Sequence, residues 1–285
     1  MQDIYQETKY IMNKYKIKAN KSLGQNFLVS QQVVDNIVGS SEITKEDLVI
    51  EIGPGLGTLT KELLERAGKV ICIELDKNMI KILEDRFSLY NNFEIIFNDV
   101  LKVNLDKIIK EEKESNNLKK AKIVANLPYY ITTPIIMKLL EEKLDLESIT
   151  VMIQKEVADR LIAIPGEKNT GAITYAVYYY SVAEKILEVP KESFIPEPEV
   201  TSEVIKLNIR KNEIVDVKDK ELMFRIIKNA FMQRRKTLLN ALANAKIFKS
   251  KDGGKEILGK LGLDENVRAE NLSLEKFAEL TNCVK

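Results

Sequence analysis

The chain has 285 residues, with 44 Lys+Arg, 43 Asp+Glu and no histidine. Without imidazole there is no Ser-His-Asp or Cys-His nucleophile pair, no His-ligated metal and no His proton shuttle, so any chemistry uses carboxylates, amides, phenols, lysines or a cofactor. An apolar fraction of 45% beside 31% charged residues excludes a disordered chain, and the length allows one large domain or two ordinary ones. Cys72 and Cys283 are far apart and form no Cys-x-x-Cys pair, which argues against a disulfide framework and for a reducing compartment. The polar opening MQDIYQETKY and the lack of any long apolar run predict a soluble, cytoplasmic protein with no membrane partner.

In chain order, a basic arm with Lys9, Lys14, Lys16, Lys18 and Lys21 leads into KSLGQNFL (21–28). Strands are predicted over 47–53, 70–75, 93–99, 121–127 and 148–154, interleaved with amphipathic stretches such as TLTKELLERA, KNMIKILEDRF and TPIIMKLLEE. Strands alternating with helices imply right-handed crossovers and a doubly wound, parallel α/β sheet. KEVADRLIA then predicts a helix and PGEKNTG a loop, while AITYAVYYYSVAEKILEV suits either helix or strand. Read as a strand, it would point Tyr178, Tyr179 and Tyr180 to alternating faces, most of them into the core. SFIPEPEVTSEV is a proline-punctuated loop, VIKLNI a strand, and everything from 220 onward has helical periodicity. The chain is therefore expected to divide into domains 1–207 and 208–285.

The formal net charge of +1 conceals an asymmetry: residues 204–285 carry 18 Lys+Arg against 11 Asp+Glu, the rest 26 against 32. A basic module attached to an acidic one suits a polyanion partner, although a solvated helical face gives the same pattern.

Ligands of doubly wound sheets bind beyond the carboxyl ends of the strands, so strand ends carry the functional signal. The first predicted strand runs into Glu51-Ile-Gly53-Pro-Gly55-Leu-Gly57, a turn that lets backbone approach a ligand ahead of a helix N-terminus. The third glycine of a dinucleotide fingerprint would fall on Thr58, which disfavours an NAD-dependent oxidoreductase. Glu74 closes the second strand, 21 residues after Gly53, where a carboxylate can accept ribose hydroxyls. Asp99 closes the third, placed to accept from an adenine amine with Val100 beside it, and Asn126 closes the fourth. Four strand ends in succession suit an adenosine-containing ligand.

Asn126-Leu127-Pro128-Tyr129 is the sharpest signal. The exocyclic amine of adenine is a poor nucleophile because its lone pair is delocalised into the ring. An Asn oxygen and a backbone carbonyl fixed by Pro128 can accept its two N–H bonds, favour pyramidal geometry and direct the lone pair at an electrophile. Tyr129 can stack on a base extracted from its helix. No proton has to leave before the new bond forms, so the lack of histidine is no obstacle.

KSLGQNFL (21–28), EIGPGLGTLT (51–60), NLPYYITTP (126–134), QKEVADRL (154–161), FIPEPEVTSEV (194–204) and FMQRRKTLLNAL (231–242) together closely resemble the KsgA-type small-subunit rRNA adenine dimethyltransferases, from about residue 15 to the C-terminus. The resemblance implies a seven-stranded S-adenosylmethionine-dependent methyltransferase (Rossmann-like) sheet with a smaller all-helical C-terminal domain. It also implies S-adenosylmethionine as methyl donor, and two methylations on each of two adjacent adenosines near the 3′ end of 16S rRNA, within an immature 30S subunit. Carried over by motif, Gln25, Asn26, Leu28, Gly53, Gly55, Glu74, Leu75, Asp99, Val100 and Asn126 contact the cofactor. Asn126, Leu127, Pro128 and Tyr129 hold the target base, and Phe194 covers its second face. Members commonly carry Asn after NLPY and serine in the next turn, where this chain has Tyr130 and Thr132, and Tyr130 is left without a role.

Arg234, Arg235 and Lys236 are the expected phosphate contacts, positioning a structured RNA without reading its bases. The rivals are an Erm-type large-subunit methyltransferase and a factor that acts chiefly by occupying immature subunits. FIPEPEV and RRKTLLNAL favour the small-subunit enzyme. A monomer without a metal ion is expected.

Overall fold

The computed structural model describes residues 3–20, 23–233 and 235–284. Up to the middle of the chain the elements are α1 (Ile4–Lys14), β1 (Phe27–Leu28), α2 (Gln31–Ser40), β2 (Asp47–Ile52), α3 (Thr58–Arg66), β3 (Lys69–Glu74), α4 (Lys77–Phe87), β4 (Phe93–Phe97), α5 (Leu105–Ser115), β5 (Lys120–Asn126), α6 (Thr132–Glu141) and β6 (Ser148–Gln154). They continue with α7 (Lys155–Ile162), α8 (Ala172–Tyr180), β7 (Ser181–Val189), β8 (Phe194–Ile195), β9 (Ser202–Ile209), α9 (Lys220–Met232), α10 (Leu238–Asn244), α11 (Lys251–Lys260) and α12 (Leu274–Cys283). Among the described residues, no helix is long and apolar enough to cross a membrane.

Seven strands form one sheet in the order β4-β3-β2-β5-β6-β9-β7. The five strands from β4 to β6 are parallel, and β9 runs antiparallel to β6. All six residues of β2 are buried, as expected of a central strand covered on both faces. From β2 the chain steps outward to β3 and β4, then returns to place β5 on the other side of β2. That reversal is the switch point of an open sheet, and the ends of β2, β3, β4 and β5 open onto it.

α3 buries Leu59, Thr60, Leu63 and Leu64, a stripe at helical spacing, while α4 is capped by the Asp76 side chain accepting from Asn78 N. The basic arm is itself helical: α1 is capped by Asp3 and buries Thr8 and Ile11, so part of it joins the hydrophobic core. Lys21, the last member of that arm, lies outside the described residues.

Contacts divide the chain into two units, 1–158 with 183–209 and 159–182 with 210–285, so the division is not the linear one expected near 207. The reason lies in the tyrosine-rich stretch. Residues 172–180 form a helix, and Tyr175 and Tyr179, four apart, fall on one face in the core of the second unit. The Tyr175 ring lies 5.3 Å from Phe231 and 5.1 Å from Phe277, and its hydroxyl donates to the Leu272 carbonyl at 2.6 Å. The strand-like alternation expected for Tyr178–Tyr180 is therefore replaced by helical spacing.

Candidate active site

A cleft of about 1040 Å³, counting the open space at its mouth, lies beyond the carboxyl ends of the parallel strands and falls entirely within the first unit. Its floor is the turn after β2. Gly53, Gly55 and Gly57 have φ of +66°, +57° and +83°, in the region that favours glycine. Gly57 is also required by space, since a Cβ there would sit 2.5 Å from Phe87 Cε2 and 2.9 Å from Leu83 Cδ2. The turn thus rests on α4 and delivers the chain into the N-terminus of α3, a natural acceptor of negative charge.

Glu74, at the end of β3, is 8% exposed. Its Oε1 accepts from Leu75 N at 2.7 Å and Asp76 N at 2.8 Å, and its Oε2 accepts from Gly55 N at 3.2 Å. Burial pushes its carboxyl above the usual range, opposed by these three backbone donors. A carboxylate offers about four acceptor positions, so Glu74 is fixed in place before any ligand arrives. Holding two ribose hydroxyls would require exchange of one bond, and the one to Gly55 is the longest. Asp99 uses Oδ1 to accept from Leu101 N at 3.0 Å, and its Oδ2 lies 3.8 Å from Lys102 Nζ. Leu75 and Val100 line the cleft as apolar surface beside these carboxylates.

On the other wall, Asn126 Nδ2 donates to the Asn26 carbonyl at 3.2 Å, which leaves Oδ1 as the acceptor of that amide. The Pro128 carbonyl is taken by Ile131 N at 3.2 Å and by the Thr132 hydroxyl at 3.1 Å. The Tyr129 hydroxyl lies 2.5 Å from Ser202 Oγ, and burial raises its pKa, so the ring is anchored and neutral. Gln25 has its side chain engaged at both ends, accepting from Asn20 N and donating to Asp76 Oδ2, each at 2.8 Å. It ties the KSLGQNFL segment to the cap of α4.

The structure therefore brings Gln25, Asn26, Leu28, Gly53, Gly55, Glu74, Leu75, Asp99, Val100, Asn126, Leu127, Pro128 and Tyr129 to one cleft. Phe194 is not among them. It is 2% exposed, pairs with Leu28 across β1 and β8, and packs in the core with Phe27. Its side chain is buried in the core with Phe27 and Leu28, which corrects the expectation that it covers a base. Arg235 and Lys236 lie between α9 and α10 in the second unit, and Arg234 lies outside the described residues.

Three further groups hold the site and have no role in the motif reading. Glu51, 1% exposed, accepts from the Thr60 hydroxyl at 2.6 Å beneath the glycine turn, with Cys72 Sγ 3.5 Å away. Burial pushes its carboxyl up to about 7. Arg86 donates to the Leu56 carbonyl, inside the glycine turn, and to Glu7 Oε1 of α1 at 2.5 Å. Ser202 anchors Tyr129. Only Glu51 carried a local signal, as the acid that opens EIGPGLG.

A seven-stranded sheet of this order, with a glycine turn after β2, an acid closing β3 and Asn-Leu-Pro-Tyr after β5, defines an S-adenosylmethionine-dependent methyltransferase of the Rossmann-like class. The chain matches the ribosomal RNA adenine dimethylase family over residues 16–285 and belongs to it. It is 48% identical over 276 residues to ribosomal RNA small subunit methyltransferase A of Alkaliphilus oremlandii (strain OhILAs), covering 97% of this chain and 95% of that one. The crystal structure of a dimethyladenosine transferase from Plasmodium falciparum matches with a TM-score of 0.72 at 27% identity, covering 89% of this chain and 95% of that one. The 23S rRNA methyltransferase ErmE, at 22% identity and a TM-score of 0.67 over 91% of this chain and 99% of its own, shares the fold.

Proposed function

We propose that this chain dimethylates N6 of two adjacent adenosines near the 3′ end of 16S rRNA in the immature small ribosomal subunit, acting as a monomer in the cytoplasm without a metal ion. The observation that carries the reading is Asn126. Its Nδ2 is committed to the Asn26 carbonyl, so its Oδ1 is held at the cleft as an acceptor with no choice of orientation. The 48% identity to a small-subunit methyltransferase supports the small subunit over the large as the target.

The cleft fits S-adenosylmethionine by the chemistry of its donors and acceptors. Glu74 and Asp99 supply carboxylate oxygens, Gly53 and Gly55 a turn without side chains, and Leu75 and Val100 apolar surface. When bound, S-adenosylmethionine supplies an electrophilic methyl group on a sulfonium. Asn126 Oδ1 accepts one N–H of the adenine amine. The Leu127 carbonyl, which precedes Pro128, accepts the other, because the Pro128 carbonyl is already occupied. These two bonds take the amine toward pyramidal geometry and aim its lone pair. Tyr129, anchored at Ser202, offers its face to the base, and the surplus proton leaves to water once N6 has formed its fourth bond. Arg235 and Lys236 of the second unit, with Arg234 beside them in sequence, contact phosphates.

The test is Asn126→Ala with immature small subunits and labelled methyl donor. Methyl incorporation should fall by about two orders of magnitude or more, the scale for loss of one preorganised polar group at a reacting centre. Subunit binding, set by phosphate contacts, should persist. Undiminished incorporation by the folded variant overturns the mechanism, and incorporation into large subunits alone by the parent overturns the substrate.

A further inference from the structure

Tyr130 is an aromatic residue at the cleft to which the proposed reaction gives no work. Its side chain lines the cleft, yet the residue is 56% exposed, a large aromatic ring directly after the anchored Tyr129. A methyl placed on Gly24 would lie 3.3 Å from Tyr130 Cδ1, 3.7 Å from Cε1 and 3.8 Å from Pro128 Cβ. Gly24 itself has φ of +61°. A left-handed glycine thus borders one edge of the Tyr130 ring, while the residue as a whole stays exposed. A solvent-exposed aromatic on the short helical turn Tyr129–Ile131, next to a pocket for a base, has the properties of a stacking platform.

The occupant follows from the physics of extraction. Withdrawing one nucleobase from a stack leaves its neighbour with an uncovered face, and that unstacking opposes the flipped state. An aromatic ring at the rim recovers the loss by stacking on the neighbour while the target lies deeper in the cleft. We propose that Tyr130 is a subsite for the nucleobase next to the target adenosine in RNA, so that the rim recognises a two-nucleotide unit. The inference rests on the proposed base-extracting reaction. It requires the π face of Tyr130 and not its hydroxyl.

The test uses Tyr130→Ala, Tyr130→Leu and Tyr130→Phe of the full chain, with reconstituted small subunits whose rRNA carries either an intact base or an abasic nucleotide on the 5′ or the 3′ side of the target. On intact subunits, kcat/KM should fall about 5- to 150-fold for Tyr130→Ala, the range for one base on an aromatic side chain. Tyr130→Leu, which keeps bulk without a π face, should also lose activity, and Tyr130→Phe should stay within about twofold. With the abasic nucleotide on the stacking side, parent and Tyr130→Ala should become equal. As a measure independent of turnover, 2-aminopurine at the flanking position should be quenched on binding the parent and Tyr130→Phe, but not Tyr130→Ala. Equal kcat/KM for parent and Tyr130→Ala on intact subunits overturns the proposal. So does a loss that persists undiminished on both abasic substrates. A parent that methylates no intact subunit overturns the assigned reaction instead, and the quenching then decides the stacking by itself.

Discussion

Glu51 is an ionisable group buried under the turn that shapes the cleft, and its consequence for stability can be worked out. Burial raises its carboxyl from 4.5 to about 7, with the Thr60 and Cys72 hydrogen bonds opposing and the Glu74 charge adding to the rise. Cys72 does not interfere, because burial pushes its thiol well above the usual range and keeps it neutral. With the folded value above the unfolded one, the folded state binds the extra proton between them. The contribution is therefore fully present below about 4.5 and is lost as pH rises through about 7. At about 1.36 kcal/mol per pKa unit, ionised Glu51 costs the fold about 3 kcal/mol in mildly alkaline solution. Glu51→Gln keeps a carbonyl oxygen to accept from Thr60 and cannot ionise. Urea unfolding of parent and variant without ligand, from about pH 5 to about pH 8.5, should show their stability difference moving in favour of the Glu51→Gln variant by about 2–3 kcal/mol. A difference that is constant with pH, or that moves in favour of the parent as pH rises, would refute the reasoning and mean that Glu51 is solvated or paired when the turn is formed.

Glu74→Gln replaces one carboxylate oxygen with an amide nitrogen facing backbone donors, so S-adenosylmethionine affinity measured by calorimetry should fall about 10- to 100-fold, the equivalent of one charge-assisted hydrogen bond. Unchanged affinity would remove Glu74 from the cofactor site. Replacing Arg235 and Lys236 by Gln, together with Arg234, should weaken RNA binding and lower its log–log salt slope by about 0.7–0.9 for each phosphate no longer neutralised. Equal slopes for variant and parent would leave these side chains as a solvated surface.

Much of the fold was legible because parallel strands covered on both faces need continuous β-branched runs, and those runs stand out in sequence. The expected 47–53 became Asp47–Ile52, 93–99 became Phe93–Phe97 and 121–127 became Lys120–Asn126, shifts of one or two residues at strand ends. Residues 172–180 were not legible for the opposite reason. Ile173, Tyr175, Val177 and Tyr179 favour a strand one by one, and the helix is secured by its packing partners, with Tyr175 against Phe231 and Phe277 far along the chain. That same packing carries 159–182 into the second unit, which a boundary drawn from local composition cannot show.

The site divides along a similar line. Groups that face the ligand sit at strand ends or in tight turns, where one or two residues suffice to aim a side chain, so a short motif encodes them. Groups that hold those motifs act through distant pairing. Arg86 reaches a carbonyl 30 residues away and a carboxylate 79 residues away, and Gln25 reaches Asp76 over 51. Phe194 illustrates the difference. Its loop motif suggested a residue facing a base, but the side of the chain it occupies is set by pairing with Leu28, which turns it into the core. A motif therefore identifies which residues can do the chemistry, and long-range contacts decide which of them are turned toward it. Tyr130 is the converse case, an aromatic to which the motif gives no role and which the fold places beside Gly24 at the cleft.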